Sequence, residues 1–326
     1  MVTTTISSTN LDINSIKANL KTSLIESGEF NDYNFASSGL STILDVLAYN
    51  THYNGLIANF ALNESFLSTA QLRSSVLSLA EGIGYVANSR NAAQAIINLS
   101  LNLSGVANAP SKVQINENFR FTTQIDDQTY TFQTREDLSA IGVNGVYNFS
   151  TIDNNTNIKI KEGSDKTKTF LALQSTDNPI YVIPDRNLDL STVIVRVFEE
   201  PTSSAFTTYS NLSTASVINE NSTLYILREA PNGFFELSFG NGVTLGTAPK
   251  VGSRISLEYL SVNGKDANSG KVFAPLNSVN INGTNYPVTV ATISESAGGS
   301  SKETLGSIRK NAPFQYASQN RMVTAS

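Results

Sequence analysis

Roughly the first 90 residues place apolar side chains three and four positions apart, the period of an amphipathic α-helix. In the stretch DINSIKANLKTSLIESGEF, one face of a first predicted helix combines Ile13, Ile16, Leu20 and Leu24. We expect Asn14 or Ser15 to cap the start of this helix and Gly28 to follow its last turn.

A second helix is predicted in SSGLSTILDVLAYNTHYNGLIANFAL, with Ser37 or Ser38 as its cap. Unbroken, it would be about 33 Å long, and Gly55 marks the point where a bend or break is expected. Most of its apolar side chains fall on one stripe: Leu40, Ile43, Leu44, Leu47, Leu56, Ile57 and Phe60. A third helix turns Leu72, Val76, Leu79 and Ile83 inward and closes at Gly82 and Gly84. These stripes are apolar enough to need a partner surface.

Near residue 95 the period changes to two. In AIINLSLNLSG, Ile97, Leu99, Leu101 and Leu103 alternate with polar residues, which predicts a half-buried β-strand. Similar segments follow to about residue 293, including FRFTT, TYTFQT, NIKIKEG, IYVIP, TVIVRVFEE, TLYILREA, FFELSFGNG, RISLEYLSV and YPVTVATI. PNGFFELSFGNGVTLG holds two Asn-Gly pairs, a strong hairpin signal. About ten strands at this spacing predict a β-rich domain that is either a sandwich or a more elaborate β structure.

The last stretch, SESAGGSSKETLGSIRKNAPFQYASQNRMVTAS, contains a Gly-Gly-Ser-Ser linker and a further helix with Leu305 and Ile308 on one face. We expect Pro313 to end this helix. The predicted class is therefore α+β, in three parts: a helical, bundle-forming segment at 1–90, a β-rich domain at 91–295, and a linker with the opening helix of a further α/β domain at 296–326.

Composition narrows the function. Charged residues make up 15% of the chain and its net charge is −5, so nothing suggests a nucleic-acid surface. The absence of cysteine excludes disulfides and thiolate chemistry. The N-terminus lacks the basic and apolar regions of a secretory signal, and no apolar run approaches the ~20 residues of a membrane span. We expect no nucleic acid, membrane insertion or small-molecule substrate.

Candidate catalytic groups are few. His52, the single histidine, has no partner type for a metal site and no nucleophile motif around it. The acidic pairs Asp126–Asp127 and Glu199–Glu200 are adjacent, and neighbours in a strand point to opposite faces. Gly240 and Gly242 lack the strand-turn-helix setting of a dinucleotide site, so a tight turn is expected. The loop at 262–271 lacks the spacing of a calcium loop. These patterns predict no catalytic residue, no cofactor and no metal.

Several stretches resemble one family. EFNDYNFASSGLSTILDVLAYNTHYN and NESFLSTAQLRSSVLSLAEGIGYVANSRNAAQA resemble the N-terminal region of T-even-type phage baseplate wedge proteins, in the baseplate J-like family. ELSFGNGVTLGTAPKVGSRISLEYLSVNGKDAN resembles that family's Phe-Gly turn and following strand. AGGSSKETLGSIRKNAPFQYASQNRMVTAS resembles its Gly-Gly, Ile-Arg, Ala-Pro and Arg-x-Val-Thr series. In the family an α/β domain usually follows, so we expect the chain to cover the N-terminal part of a longer product, or to be a shortened relative.

The resemblance implies a structural, non-enzymatic component of a contractile tail, located in the virion baseplate and assembled in the host cytoplasm. It implies that the helices bundle with another copy and with a further wedge protein, and that the proteins form a ring around the hub. The ring rearranges when the sheath contracts, which requires bistable contacts. Candidate hinge points are Gly28, Gly39, Gly55 and the Gly298–Gly299 pair.

We therefore expect the partner interface to comprise Leu40, Ile43, Leu44 and Leu47 on the second helix with Leu72, Arg73, Val76 and Leu79 on the third. Arg73 would pair with an acidic residue across the bundle or be solvated. The alternative for the apolar positions is packing within this chain alone. Two other functions remain open: a β-rich tail protein that binds or cleaves host polysaccharide, and the equivalent part of a bacterial contractile injection system.

Overall fold

The structure is a computed structural model that describes residues 12–28, 39–172, 179–215, 218–242 and 245–318. The chain divides into two compact units. The first combines residues 1–87 with 304–326, and the second spans residues 88–303.

The described residues of the first unit form four α-helices: α1 (Ile13–Glu26), α2 (Gly39–Glu64), α3 (Arg73–Gly82) and α4 (Leu305–Ser318). The cap of α1 is Asp12, whose carboxylate accepts the Ser15 backbone N–H at 2.8 Å, so the prediction of Asn14 or Ser15 was wrong by two or three residues. The short Asp12 side chain reaches back over the first turn and satisfies an otherwise unbonded helix N–H.

The predicted ends of α1 and α3 are confirmed. Gly28 and Gly84 both follow a last helical turn with positive φ angles, +81° and +83°, which a residue with a Cβ adopts only with strain. Two breaks did not occur. Gly55 does not interrupt α2, and Pro313 lies inside α4, so the expectation that it ends the helix was wrong. The proposed caps of α2, Ser37 and Ser38, lie outside the described residues.

The second unit is built of β-strands. In chain order they are β1 (Gln94–Asn102), β2 (Lys112–Ile115), β3 (Arg120–Ile125), β4 (Gln128–Thr134), β5 (Leu138–Val143), β6 (Val146–Asn148), β7 (Ile158–Glu162), β8 (Ser164–Leu171), β9 (Tyr181–Ile183), β10 (Ile194–Phe198), β11 (Phe206–Asn211), β12 (Leu224–Glu229), β13 (Phe235–Phe239), β14 (Arg254–Ser261), β15 (Ala274–Pro275), β16 (Val279–Ile281), β17 (Thr284–Tyr286) and β18 (Thr289–Ala297).

These strands form two large sheets and a hairpin. The first sheet has the order β15-β3-β4-β7-β1-β6-β5-β2, with β18 also paired to β1. The second has the order β8-β14-β10-β11-β12-β13-β9, and β16 pairs with β17 alone. Among the described strands every pairing is antiparallel except that of β11 with β12. The predicted α+β class, with N-terminal helices followed by a β-rich region, is confirmed.

The second sheet is an insertion in the first. Residues 164–261 supply all of its strands, while the first sheet takes its strands from before and after that segment. Each sheet has a separate hydrophobic core: one includes Ile97, Phe121 and Phe132, and the other includes Val195, Phe235 and Leu257. The alternation predicted for β1 is confirmed, because Ile97, Leu99 and Leu101 are buried at every second position.

Two buried carboxylates hold the neck of the insertion. Glu162, the last residue of β7, accepts the side-chain amide of Asn263 at 2.9 Å. Asp189, inside the insertion, accepts the Ala92 backbone N–H at 2.8 Å. Ala92, Leu260 and Val262 form a small apolar cluster at the same place. The two sheets are thus joined by hydrogen bonds and packing as well as by the chain.

The Gly298–Gly299 segment, predicted as a linker, is held in place within the second unit. The Asn268 side chain accepts the Gly299 N–H at 2.8 Å and donates to the Gly299 carbonyl oxygen at 2.9 Å. A Cβ on Gly299 would lie 2.3 Å from the Gly264 carbonyl oxygen. Glycine is required here by the close approach of two backbone segments.

Candidate partner interface

One face of α2 is covered by its own chain. Leu44 and Ala48 lie one turn apart and are 2% and 0% exposed, and α1 is the helix that packs against α2. A salt bridge between Lys17 of α1 and Asp45 of α2 lies beside this contact. Leu44 therefore satisfies its apolar surface within the chain.

The opposite side of α2 is apolar and exposed. Its side chains, which we call the first stripe, are Val46, Tyr49, Tyr53, Leu56 and Phe60. They are 45–63% exposed, and they follow one another at intervals of three, four, three and four residues, the spacing of a coiled-coil seam. The rings of Tyr49 and Tyr53 stack at 6.5 Å between centroids. This seam is a surface onto which another helix fits.

A second stripe adjoins the first on the α2 surface. It consists of Ile43, Leu47, Asn50, Asn54, Ile57 and Ala61, spaced four, three, four, three and four residues apart. All six are exposed, Ile43 and Ile57 by 56% and 50%. At its centre, Asn54 Nδ2 donates to Asn50 Oδ1 at 3.2 Å. α2 thus carries apolar side chains on two adjoining exposed stripes as well as on its buried face, as is typical of a helix that packs against several others.

Neither stripe carries a charge. The ionisable residues of α2 other than its tyrosines are Asp45, His52 and Glu64. Asp45 pairs with Lys17 in the same chain, and Glu64 caps the next helix. His52 is half-buried and lies on the side nearer the covered face.

Glu64 fixes the end of α2 against the start of α3. Its carboxylate accepts the backbone N–H groups of Gln71 at 2.8 Å and of Leu72 at 3.2 Å, and Leu72, the N-cap residue, offers no side-chain cap. Desolvation acts to raise the pKa of Glu64, but bonds from Gln71, Ser75 and Leu72 and the charge of Arg309 outweigh it and hold the pKa below its usual value. This carboxylate therefore links the last turn of α2 to the start of α3.

A small core joins α3 to α4. It contains Ala70, Val76, Ala80, Tyr85, Ile308 and Ala312, each of them buried. The Arg309 guanidinium donates to the Ala70 carbonyl oxygen across the same contact. The prediction that Leu305 and Ile308 share one face is confirmed, because Ile308 is in this core and Leu305 packs against it.

The structure separates the predicted interface residues of α2 into different environments. Ile43 and Leu47 are exposed on the second stripe, Leu40 is half-buried, and Leu44 is buried on the covered face. The first stripe, which the sequence analysis did not select as the interface, is the larger apolar surface. Its strict alternation of three- and four-residue steps was the available signal.

The predicted residues around α3 divide in the same way. Leu72 is 49% exposed, whereas Val76 is fully buried in the core shared with α4. Leu79 is half-buried and packs against that core. Arg73 is half-buried and interacts within its own chain. That these eight residues form a partner interface stays a prediction, and the exposed members are the ones available to a partner.

The acidic pairs lie outside any strand interior. Asp126 and Asp127 form the two-residue turn between β3 and β4, with positive φ angles of 47° and 60°, so their description as strand neighbours was wrong. Glu199 and Glu200 are exposed in a bend after β10. Within the described part of the chain, no three His, Asp or Glu side chains are grouped to hold a metal ion.

The SFGNG segment leaves β13 and bends at Gly242, and the tight turn predicted here continues into residues 243–244, which lie outside the described residues. Gly242 has a φ of +69° and donates its N–H to the Gly246 carbonyl oxygen at 2.8 Å. A Cβ on Gly240 would overlap the Leu245 carbonyl oxygen. Of the two Asn-Gly pairs, Asn232–Gly233 forms the predicted hairpin between β12 and β13. The second pair, Asn241–Gly242, lies between β13 and β14, and β14 pairs with β8 and β10 and not with β13. None of the helices that the structure describes is long and apolar enough to cross a membrane.

Comparison with known proteins identifies the helical segment. Residues 12–85 match a family model described as "Baseplate wedge protein gp6-like, helical domain". The chain is also 31% identical, over 339 aligned residues, to baseplate wedge protein gp6 of Enterobacteria phage T4. That alignment covers 95% of this chain and 48% of the relative, so the chain spans about half the length of the curated relative it matches.

Among solved structures, the chain resembles one from the cryo-EM structure of the anti-feeding prophage baseplate, 6-fold symmetrised. The identity is 10%, the TM-score is 0.30, and the match covers 95% of this chain and 52% of the other. A likeness of this degree carries no information on fold or function. The resemblance predicted from sequence is confirmed by the two sequence matches: residues 12–85 are similar to the helical domain of gp6-like baseplate wedge proteins, and nearly the whole chain is similar to T4 gp6.

Proposed function

We propose that the chain is a structural subunit of the baseplate wedge in a contractile phage tail. In this role it lies in the tail baseplate of the virion and assembles there with other baseplate proteins and with another copy of itself. The proposal is supported by the match of residues 12–85 to a wedge-protein helical domain and by the similarity to T4 gp6 over 95% of the chain.

The observation that carries the mechanism is the exposed apolar surface of α2. Five side chains of the first stripe remain about half exposed although another face of the helix, with Leu44 and Ala48, is buried within its unit. An exposed apolar patch of this kind marks a protein–protein contact, and the three-four spacing favours a helix as the partner. Burying a large apolar side chain contributes about 1.5–3 kcal/mol. Because these five side chains are already about half buried, covering each contributes roughly half of that amount, which favours association and offsets part of the entropy lost on binding.

Assembly and not catalysis is therefore the proposed activity. Packed helices can change partner or register between two stable arrangements, and a ring of subunits that rearranges requires contacts of this two-state kind. Within the helical unit, the Glu64 carboxylate and Arg309 hold α2 in a defined direction relative to α3 and α4. The partner would then meet a rigid helix with a preformed seam.

The proposal is tested with the full chain carrying Val46→Asp and Leu56→Asp together. Both residues are on the first stripe and exposed, so the variant should keep its helical circular dichroism. We expect it to stay outside wedges reconstituted from the co-expressed baseplate proteins of the same tail. Ile152→Asp is the matched control, because Ile152 is 86% exposed in the second unit. Normal incorporation of the double variant would overturn the assignment of the interface to α2.

A further inference from the structure

We infer that Asn50 and Asn54 form the register-setting centre of the α2 interface, where they meet the same two residues on α2 of a second copy of this chain. This inference rests on the proposed function, because it takes the second stripe to be enclosed in a helical assembly.

The second stripe is symmetric about His52. Asn50 and Asn54 lie two residues from it, Leu47 and Ile57 lie five, and Ile43 and Ala61 lie nine. Two copies of α2 can pack through this stripe in a parallel, in-register arrangement or in an antiparallel arrangement centred on His52. In either arrangement, the asparagine pair of one copy lies level with that of the other. Apolar positions then face apolar positions above and below. A self-complementary stripe of this kind fits an isologous contact between identical chains.

The hydrogen-bonding capacity of the pair is also self-complementary. Asn54 Nδ2 donates to Asn50 Oδ1 within the helix, at 3.2 Å. An asparagine side chain has two N–H donors and an oxygen with two lone pairs. After this internal bond, the Nδ2 hydrogens of Asn50 remain available as donors and the Oδ1 of Asn54 remains available as an acceptor. In an identical pair on a second copy, the same acceptor and the same donor can bond to them. Two copies can satisfy each other's amides without water.

Charge favours the same occupant. Neither stripe of α2 contains a charged side chain, so a partner helix with charges at its seam would lose their hydration without gaining an ion pair. A second α2 presents a neutral seam with an amide pair at the matching height. The second copy is therefore the occupant whose surface complements this one.

The side-chain amides of Asn50 and Asn54 favour one alignment of the two α2 helices over alignments shifted along the helix axis. A slip along the seam would place Asn50 or Asn54 against Leu47 or Ile57 and leave buried amide groups without partners, which is costly. A polar residue at a seam position commonly sets register and oligomeric state at some cost in affinity. The asparagine pair thus makes the contact weaker but unique.

The experiment replaces the pair in the full chain by Asn50→Leu and Asn54→Leu. We expect the dissociation constant of the self-associated species to fall at least about tenfold, while a single mass in sedimentation becomes a mixture of masses. Asn14→Leu with Asn19→Leu is the matched control, since both residues are exposed on α1. It should change neither quantity.

Register is measured separately. The chain has no cysteine, so Thr51→Cys provides one spin-label site beside the stripe. The label should give one narrow inter-copy distance with the asparagines present and a broad distribution with the leucines. An unchanged dissociation constant and a narrow distribution in the leucine variant would overturn the inference. A native chain that never self-associates would also overturn the inference. The proposed function is tested separately: if the Val46→Asp, Leu56→Asp variant is not incorporated into the wedge, α2 is still a partner interface.

Discussion

Glu162 and Asn263 join the two chain passages that lead into and out of the inserted sheet. The Glu162 carboxylate accepts the Asn263 side-chain amide at 2.9 Å and its backbone N–H at 3.1 Å, and Glu162 is 1% exposed. Between these residues, Gly163 has a φ of +131° and approaches the Ser261 carbonyl oxygen so closely that a Cβ would lie 3.0 Å from it. The neck is therefore clamped on both passages, and the two sheets fall in one compact unit.

This clamp predicts a pH dependence of stability. Burial raises the pKa of Glu162 above its ordinary value of 4.5, an effect to which the neighbouring Asp189 adds and which the bonds from Asn263 and Gly264 oppose. Because the folded-state pKa is raised, the contribution of Glu162 is fully present below the unfolded-state pKa and is lost as the pH rises through the folded-state value.

We expect the free energy of unfolding of the native chain, minus that of Glu162→Gln, to fall as the pH rises from about 4 to about 8. Denaturant unfolding of both proteins across this range measures it. A difference that instead grows with pH would show that the hydrogen bonds from Asn263 outweigh the cost of burying the charge.

The Gly298–Gly299 segment provides a second prediction. Gly299→Ala would place a Cβ against the Gly264 carbonyl oxygen, so backbone must move, and we expect a loss of about 1–3 kcal/mol in the free energy of unfolding. Gly306→Ala is the control, since nothing lies within 4 Å of its Cβ position and it is in α4. That substitution should stabilise by about 0.5–1 kcal/mol. Equal effects of the two would contradict a packing role for Gly299.

The sequence predicted those elements whose burial follows a regular period. In β1, β10 and β13, every second residue is buried, so the alternation was visible. β8 was missed because its residues, SDKTKTFL, are mostly exposed at the edge of the second sheet and are held by pairing with β14 alone. Periodicity reports burial, and an exposed edge strand has little of it. The insertion was invisible for a related reason, since strand order depends on pairing between distant residues.

The exposed apolar surface of α2 was predicted only in part, for a similar reason. Leu44 and Val46 are both apolar residues of α2, yet one is buried and the other is 63% exposed. A helical wheel shows which side chains share a face, but it does not show which face the same chain covers. That choice depends on where α1 packs and on the core that α3 shares with α4, contacts that join residues far apart in sequence.

The hydrogen bonds that the Glu64 carboxylate accepts at the start of α3 predict a pH dependence of stability opposite to that of Glu162. Because its pKa is lowered in the folded state, its contribution is present above the unfolded-state pKa and is lost as the pH falls through the folded-state value. Glu64→Ala should weaken the start of α3 by about 1 kcal/mol at neutral pH, the usual effect of losing a helix cap. Hydrogen exchange of the Gln71 and Leu72 amides, compared with the native chain at each pH, measures this. Glu26→Ala, exposed on α1, is the control, and a loss that persists undiminished in acid would contradict the role of the carboxylate.

Truncation of Leu44 and of Ile43 should separate folding from assembly. Leu44→Ala removes a buried side chain, so we expect it to lower the free energy of unfolding by about 2–5 kcal/mol at any protein concentration. Ile43→Ala alters a second-stripe position that is 56% exposed and should leave a dilute chain nearly unchanged. At high concentration, where copies associate, the native chain gains stability by mass action, and Ile43→Ala should lose part of that gain. Thermal unfolding at several concentrations distinguishes the two, because only the Ile43 effect should depend on concentration. An Ile43→Ala variant with the native concentration dependence would show that the second stripe takes no part in the self-associated species.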